Sequence, residues 1–479
     1  MSETFKSRFG LIAAMLGMAV GTGNIWRFPR VMAANGGGAF LIPWFLFLFL
    51  WSIPLLIVEF SCGQKLRRGV LGSFAKLSHG KLTWLGGFVV FCTMGIMFYY
   101  SVVTGWCLFY LSEALTGGLF QNDPQMIWEN LTAHSLTPLF LHAFIMIITA
   151  LVLGSGVRKG IERVSCVLIP ALFVILGILA LYAMTLKGRN QGLDFIFNTD
   201  FSRLRDYKVW LEGLTQSAWS TGAGWGVALS YACYARSHDK GGLTPFTTGL
   251  GNNAIELLAV FVILPTLFTF FPVNEIIELT KTGNTGLTFI ALPGLFQQMP
   301  MGRLFAILFF LGLFAAAFTS LLAMFELGVR FFHDLKIKRR KALLWVTVMG
   351  IVLGAPSALR LSFLDNQDWV WGVGLLLSGF FFALLVRYMG MRRFCEELLP
   401  IRKGIHRKVF KIILFWVIPV EFFILLIWWF AQSVTWDQAN WWNPFHSLSM
   451  GTCLVQWALL LFFLAMFNKK MNSRLGHSQ

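Results

Sequence analysis

Charge is what this chain has least of. Only 13% of its 479 residues are Asp, Glu, Lys or Arg, roughly half the share of a soluble domain, so an ordinary water-soluble globule is excluded. Its seven cysteines, at 62, 92, 107, 166, 233, 395 and 453, fall in apolar runs or on the side that the basic residues mark as inner. No external disulfide framework is expected from them. No Cys or His cluster has metal-ligand spacing and no His-Glu-x-x-His occurs, which removes the zinc-enzyme patterns. No nucleophile–base pair stands out, so an enzyme is not expected.

Apolar residues are what the chain has most of, at 57%, with 49 Phe and 19 Trp. Apolar runs of about 18 to 25 residues recur, long enough to cross the hydrocarbon core of a bilayer. Twelve spans are expected, near 8–35, 38–63, 83–117, 138–155, 161–186, 208–236, 246–271, 301–333, 341–357, 367–388, 408–431 and 447–468. The stretches 118–137, 187–207 and 272–300 are read as outer loops. The first run carries no cleavage pattern, so it is expected to stay in place rather than act as a signal peptide.

The net charge of +17 does not point to nucleic acid. Most basic residues sit on alternate loops: Lys65, Arg67, Arg68, Lys76 and Lys81, then Arg158, Lys159 and Arg163, then Arg236 and Lys240. Lys336 through Lys341 and Arg387 through Lys411 follow. This is the positive-inside pattern. It predicts a multi-pass protein of the cell (inner or plasma) membrane with both termini cytoplasmic, a lipid bilayer as partner and no nucleic acid.

Two runs are broken. Gly17-Met18-Ala19-Val20-Gly21-Thr22-Gly23-Asn24 interrupts span 1, and Ser220-Thr221-Gly222-Ala223-Gly224-Trp225-Gly226 interrupts span 6. Glycine costs roughly 1 kcal/mol in a helix interior. Unwound backbone at membrane depth survives only when buried in protein or lining a polar cavity. Gly17 and Gly21 also fit a Gly-x-x-x-Gly packing seam, but Asn24, Ser220 and Thr221 add polar groups that a seam does not need. Paired breaks in corresponding places point to a transporter's binding site. Five spans precede the second break-bearing unit, and five is odd, so the second unit starts on the opposite side. The fold class expected is an all-α membrane protein of about 12 transmembrane helices with a 5+5 inverted repeat. A single transporter domain is expected over 1–479: first repeat 1–186, inverted repeat 208–388, two further helices 408–468.

At these residues the chain resembles the neurotransmitter:sodium symporters, especially their bacterial amino-acid branch. The stretches that carry the resemblance are Ala19 through Pro29, Asn35 through Pro43, Gly156 through Glu162, and Phe318-Thr319-Ser320. The resemblance implies uptake of a neutral amino acid driven by sodium through alternating access. An amino-acid sensor of the same architecture, binding without turnover, is the competing reading. Two sodium sites are implied. One comprises the Ala19 carbonyl, Asn24, Ser220 and Asn252. The other comprises the Gly17, Val20 and Ala316 carbonyls with the Thr319 and Ser320 hydroxyls. Oxygen donors of this kind suit a hard cation.

The implied substrate site uses the Thr22 and Gly23 amides and the Tyr100 hydroxyl for a carboxylate. Its wall is Ile96, Trp219, Gly222, Trp225, Ser320 and Met324, with Met18 where relatives often have Asn. Gly21 stands where carriers of biogenic amines have an aspartate, so the substrate must bring its own carboxylate. Gly222 is expected to open space beneath Trp219 and Trp225, and the apolar wall favours a hydrophobic side chain. Arg27 with Asp368 is implied as the outer gate and Asp334 as the acid of the inner gate. Ser2 occupies that gate's arginine position and Phe5 its tryptophan position, leaving Lys6 or Arg8 to substitute. Glu256, one turn after Asn252, would supply the charge that chloride gives other relatives. Trp44 replaces a tyrosine of the chloride site, and both departures imply chloride independence. Glu59 resembles the acid that holds the unwound part of span 6. Gly160 and Pro170 would let span 5 open.

Overall fold

Helices start and stop where the sequence supplies caps and breaks. In the computed structural model, which describes residues 3–236, 242–281, 283–399 and 404–476, the Ser7 hydroxyl accepts the Gly10 amide at 2.9 Å and opens span 1, Arg8–Ala19. The chain unwinds at Val20 and Gly21 and restarts as Thr22–Ile25 and Arg27–Ala34, where the Asn24 side chain accepts the Gly21 amide at 2.8 Å. The two halves meet at 73°. Span 6 runs as Tyr207–Ser220 and resumes as Val227–Ala232. Between them Gly222, Gly224 and Gly226 have φ of 68°, 87° and 79°, a left-handed conformation that side chains other than glycine resist. Ser2, Lys240 and 400–403 lie outside the described residues, so the reading of Ser2 is not addressed by this structure.

Among the described residues nine helices are long and apolar enough to cross a membrane, and two bent pairs raise the number to eleven. The unbroken ones are Gly37–Leu66, Thr83–Thr116, Thr137–Gly154, Val157–Ala183, Leu243–Phe270, Gly302–Asp334, Arg339–Leu359, Leu361–Met389 and Ile405–Trp436, which are spans 2–5 and 7–11. Met450–Met466 is span 12 and bends into a short terminal helix, Asn468–Arg474. The split span 6 completes twelve. The chain is therefore an all-α membrane protein with broken spans 1 and 6. Span 10 begins six residues earlier than its apolar run because its first turns, which include Asp365 and Asp368, stay helical. The stretches read as outer loops also carry helices, Pro124–Ala133, Arg189–Phe197 and Val273–Lys281 among them.

Packing shows how the repeats meet. Span 3 lies along span 8 and span 4 along span 9, so equivalent members of the two five-span units face each other, as around a two-fold axis. The apolar window of span 3 is 83% buried and those of spans 8 and 10 are 72%, whereas those of spans 4, 5, 9 and 11 are 33%. The former make the centre. The latter present large apolar side chains such as Phe140, Leu151 and Leu181 outward, as contact with lipid requires. Span 1 sits against spans 5, 7 and 8, which brings its break to the middle of the bundle.

Candidate functional site

The unwound segment of span 1 turns its carbonyls toward span 8. The Ser320 hydroxyl donates to the Gly17 and Val20 carbonyls, at 3.2 and 2.9 Å. One residue earlier, the Thr319 hydroxyl donates to the Ala315 and Ala316 carbonyls at 2.9 and 3.1 Å. A side chain at Gly17 would begin 3.0 Å from Thr319 Cβ, so glycine is what allows the two helices this approach. Gly17, Val20, Ala316, Thr319 and Ser320 are thus brought together by spans 1 and 8.

Asn24, Ser220 and Asn252 also meet. Asn24 Nδ2 donates to Asn252 Oδ1 at 2.8 Å, and Asn252 Nδ2 to the Ser220 hydroxyl at 3.2 Å. All three are buried and come from spans 1, 7 and 6, and Ala19 is the last residue of the first half of span 1. Both groups offer only hydroxyl, amide and carbonyl oxygens for a metal. No group of three or more His, Cys, Asp or Glu that could hold a metal occurs among the described residues. Such donors fit a hard monovalent cation and not a soft one.

Glu256 is wholly buried one turn beyond Asn252. Its carboxylate accepts the Trp44 indole N–H at 2.6 Å and the Gln216 amide at 2.5 Å. Trp44 lacks a tyrosine's hydroxyl, but its ring nitrogen is itself a donor aimed at this position. Glu59, also wholly buried, accepts the Gly224 and Leu229 amides at 2.6 and 3.3 Å. It ties span 2 to donors that the break in span 6 leaves without helical partners.

On the open side of the span 1 break, the Thr22 amide and hydroxyl lie 2.9 and 3.3 Å from the Tyr100 oxygen. That oxygen accepts from Thr22, so its own proton is left to donate elsewhere. A side chain at Gly21 would begin 2.8 Å from the Tyr100 oxygen and 3.2 Å from Ser320 Oγ, whereas beside Gly23 nothing lies within 4 Å of such an atom. Ile96, Met18 and Met324 are buried. Two expectations change here. The room at Gly222 faces the Met18 sulfur at 3.8 Å and Val227 at 3.5 Å, not the underside of the indoles. Trp219 stacks on Trp429 of span 11, with ring centres 5.3 Å apart, and carries the Arg27 guanidinium 4.6 Å above its ring. Trp225 lends its carbonyl to Thr93 of span 3 at 2.7 Å.

The expected gate partners are not joined in this conformation. Arg27 bonds Gln216 and reaches Glu212 at 3.4 Å. Asp368 accepts the Tyr99 hydroxyl at 2.7 Å. Because Gln216 also holds Glu256, a continuous polar line runs Trp44–Glu256–Gln216–Arg27–Glu212. Glu212 escaped the sequence reading although it stands one turn before Gln216, a spacing that puts both on one helix face. At the face that bears the termini, Asp334 accepts the Gly69 and Gly72 amides at 2.9 Å each, where it caps the helix Val70–Leu77. Lys6 and Arg8, the expected substitutes for a gate arginine, are exposed. Instead the Lys6 and Ser7 amides and the Ser7 hydroxyl bond Glu162 of span 5, at 2.7, 3.0 and 3.0 Å.

Known proteins are similar to this chain in sequence and fold. The sequence profile of the sodium:neurotransmitter symporter family matches residues 2–135 and 137–473. An uncharacterised sodium-dependent transporter of Methanocaldococcus jannaschii is 32% identical over 382 residues, covering 76% of this chain and 77% of its own length. The uncharacterised sodium-dependent transporter YhdH of Bacillus subtilis is 33% identical over 368 residues, covering 76% and 80%. The crystal structure of MhsT in complex with L-phenylalanine superposes with a TM-score of 0.79 at 31% identity, covering 89% of this chain and 99% of that one. With its broken spans, its paired oxygen clusters and a family match along almost its whole length, this chain belongs to the sodium:neurotransmitter symporter family.

Proposed function

We propose that this sodium-dependent symporter carries a neutral, hydrophobic amino acid into the cell, with two sodium ions as co-substrates and no need for chloride. Residues 1–479 act as one transporter domain in the cell membrane, with both termini in the cytoplasm. The observation that carries the substrate class is the crowding at Gly21. Glycine brings no carboxylate, and any side chain there would displace Tyr100 and crowd Ser320, so a carboxylate near the first cation must arrive with the substrate. The Thr22 and Gly23 amides at a helix start attract an anion, and the Tyr100 hydroxyl donates to it. Ile96, Met324, Met18 and the indole of Trp225 give an apolar surround. That MhsT binds L-phenylalanine supports an aromatic or large aliphatic side chain.

In this reading Ala19, Asn24, Ser220 and Asn252 hold the first sodium. Gly17, Val20, Ala316, Thr319 and Ser320 hold the second. Each sodium joins elements of both repeats, so its binding favours the closed-in arrangement around the substrate. Purified protein in vesicles should accumulate labelled phenylalanine or leucine under an inward sodium gradient, and a potassium gradient should not replace it. Binding without accumulation would favour the sensor reading. Thr319→Ala removes one oxygen from a cation, a loss of roughly 1.5–3 kcal/mol if scaled as a hydrogen bond to a charged group. Half-saturating sodium should rise accordingly, and substrate affinity at limiting sodium should fall with it because coupling is reciprocal. Substrate binding at limiting sodium unchanged from native in both Thr319→Ala and Asn24→Ala would remove these residues from the sites.

Gly222→Ser tests the pocket. At φ 68° a side chain costs about 1–2 kcal/mol, and it would project toward Met18. Competition should weaken for tryptophan and phenylalanine more than for alanine. The same ranking before and after would place the wall elsewhere.

A further inference from the structure

Span 11 carries one acid that neither the cation clusters nor the substrate site uses. Glu421 is the only charged residue between Lys411 and Asp437, and it lies in the helix Ile418–Trp436. It is 6% exposed, and among the described residues neither of its oxygens has a hydrogen-bond partner. Glu59 and Glu256 are treated differently, since each accepts two N–H donors.

The neighbours of Glu421 fix its depth. Phe422 stacks on Phe380 of span 10, with ring centres 4.6 Å apart and planes 7° from parallel. Before Phe380 comes Gly379, whose Cα lies 2.6 Å from where a side chain at Gly224 would begin. Glu421 therefore stands behind the break of span 6, with one layer of span 10 between them. Among the described residues no charge on the packed elements pairs with it. On span 10, Asp368 lies twelve residues before Phe380, about 18 Å along the helix, with Asp365 beyond it. Arg387 lies seven residues after Phe380, about 10 Å away, where it is exposed and donates to the Phe415 carbonyl at 3.2 Å. Tyr388 beside it is exposed as well. On span 6, Glu212 turns to Arg27, and Tyr207 and Lys208 lie beyond it. Span 12 offers only Cys453. Span 2 packs against the turn Ile413–Val417 and brings Cys62, Lys65 at its end, and Glu59, whose charge has the same sign.

An ionised carboxylate without donors or counter-charge is far costlier to bury than the neutral acid, because the hydration of its charge is lost with nothing in its place. Acids at such depth in a membrane protein are expensive and mark function. We propose that Glu421 is a proton-binding site, separate from the cation and substrate sites, filled while span 11 lies against span 10 and emptied when that contact opens to water. Through Phe422, Phe380 and Gly379 the site is tied to the position of the span 6 break. Acid favours the closed contact. Once the wetted carboxyl is ionised, each unit of rising pH shifts the balance ten-fold toward the open one.

Two readouts on the full chain in lipid nanodiscs test the site. Infrared difference spectra at about pH 8, well above the ordinary carboxylate range, should show the C=O stretch of an unbonded carboxylic acid in native protein minus Glu421→Gln. Absence of that band would overturn the proposal. Amide hydrogen exchange, read by mass spectrometry, gives the second. The ratio of native to Glu421→Gln exchange in the peptide around residue 421 should rise with pH, approaching ten-fold per unit. Dividing by the glutamine variant removes the intrinsic pH dependence of exchange. The same ratio in span 3 peptides should stay at one. Glu421→Met, which keeps the volume and has no proton to lose, should match Glu421→Gln. A flat ratio at residue 421 would overturn the proton linkage. An equal rise in span 3 would mean that Glu421 only supports the fold, and a native pH dependence in Glu421→Met would assign the effect to another group. Neither readout needs sodium or an amino acid, so the site stands or falls apart from the substrate reading.

Discussion

Glu256→Ser should abolish uptake in chloride-free medium and regain most of it when chloride is added. The substitution removes a buried negative charge one turn from Asn252 and leaves two donors, the Trp44 indole N–H and the Gln216 amide, facing the vacated space. Removing one partner from a buried charge arrangement costs about 3–5 kcal/mol. That is roughly a hundred- to several-thousand-fold in affinity, and here it falls on the first sodium and, through linkage, on the substrate. A monovalent anion placed between the two donors restores both the charge and the hydrogen bonds. The Trp44 nitrogen makes this recovery more complete than the loss of a tyrosine hydroxyl first suggested. Trp44→Phe in the serine background should therefore lose much of the chloride response. Sodium-dependent uptake would be measured in gluconate and in chloride for the native, Glu256→Ser and double-mutant proteins. A native protein that needed chloride, or a serine variant equally active without it, would show that Glu256 has another role.

Much of this site is written in residue type and spacing. Three glycines in seven residues announced each break: in span 6 they take φ of 68° to 87°, which other residues adopt only with strain, while in span 1 Gly17 and Gly21 keep room for Thr319, Tyr100 and Ser320. Asn24, Asn252 and the Thr319-Ser320 pair could be named in advance through the family resemblance; by residue type alone Thr319 and Ser320 read equally as hydroxyls bonding their own helix. Long side chains were another matter. Arg27 could be placed at a span end, but its choice of Gln216 and Glu212 over Asp368 depends on which way span 6 presents that turn. Tyr99, the partner Asp368 uses, looked like its neighbour Tyr100. Glu326 carried the same signal as Glu256, a carboxylate inside an apolar run, and it went unread because its partner Arg339 lies in a loop-like basic stretch on another helix. Trp44 shows the remaining gap. A substitution read as a missing oxygen supplied a nitrogen at the same place.

Gly21→Asp should extinguish amino-acid uptake altogether, and Gly21→Ala should impair it heavily. The first atom of any side chain at Gly21 falls 2.8 Å from the Tyr100 oxygen and 3.2 Å from Ser320 Oγ, closer than side-chain carbons sit to such neighbours without displacement. Alanine therefore pushes Tyr100 off the Thr22 amide, and a buried donor without a partner costs about 1–3 kcal/mol. That corresponds to roughly a ten- to hundred-fold loss of affinity for zwitterions. Aspartate adds a fixed negative charge where the substrate carboxylate must lie, and like charges in a low-dielectric site repel by several kcal/mol. The same charge should attract a ligand that has an amine and no carboxylate. Phenethylamine, which is phenylalanine without its carboxylate, is the probe. Native protein should ignore it, Gly21→Asp should bind it in a sodium-dependent manner, and Gly21→Ala should bind neither it nor phenylalanine well. Isothermal titration with both ligands at saturating and limiting sodium reads all three variants. Tight phenylalanine binding by Gly21→Asp would mean that the substrate carboxylate sits elsewhere, and the proposed use of the span 1 break would fall with it.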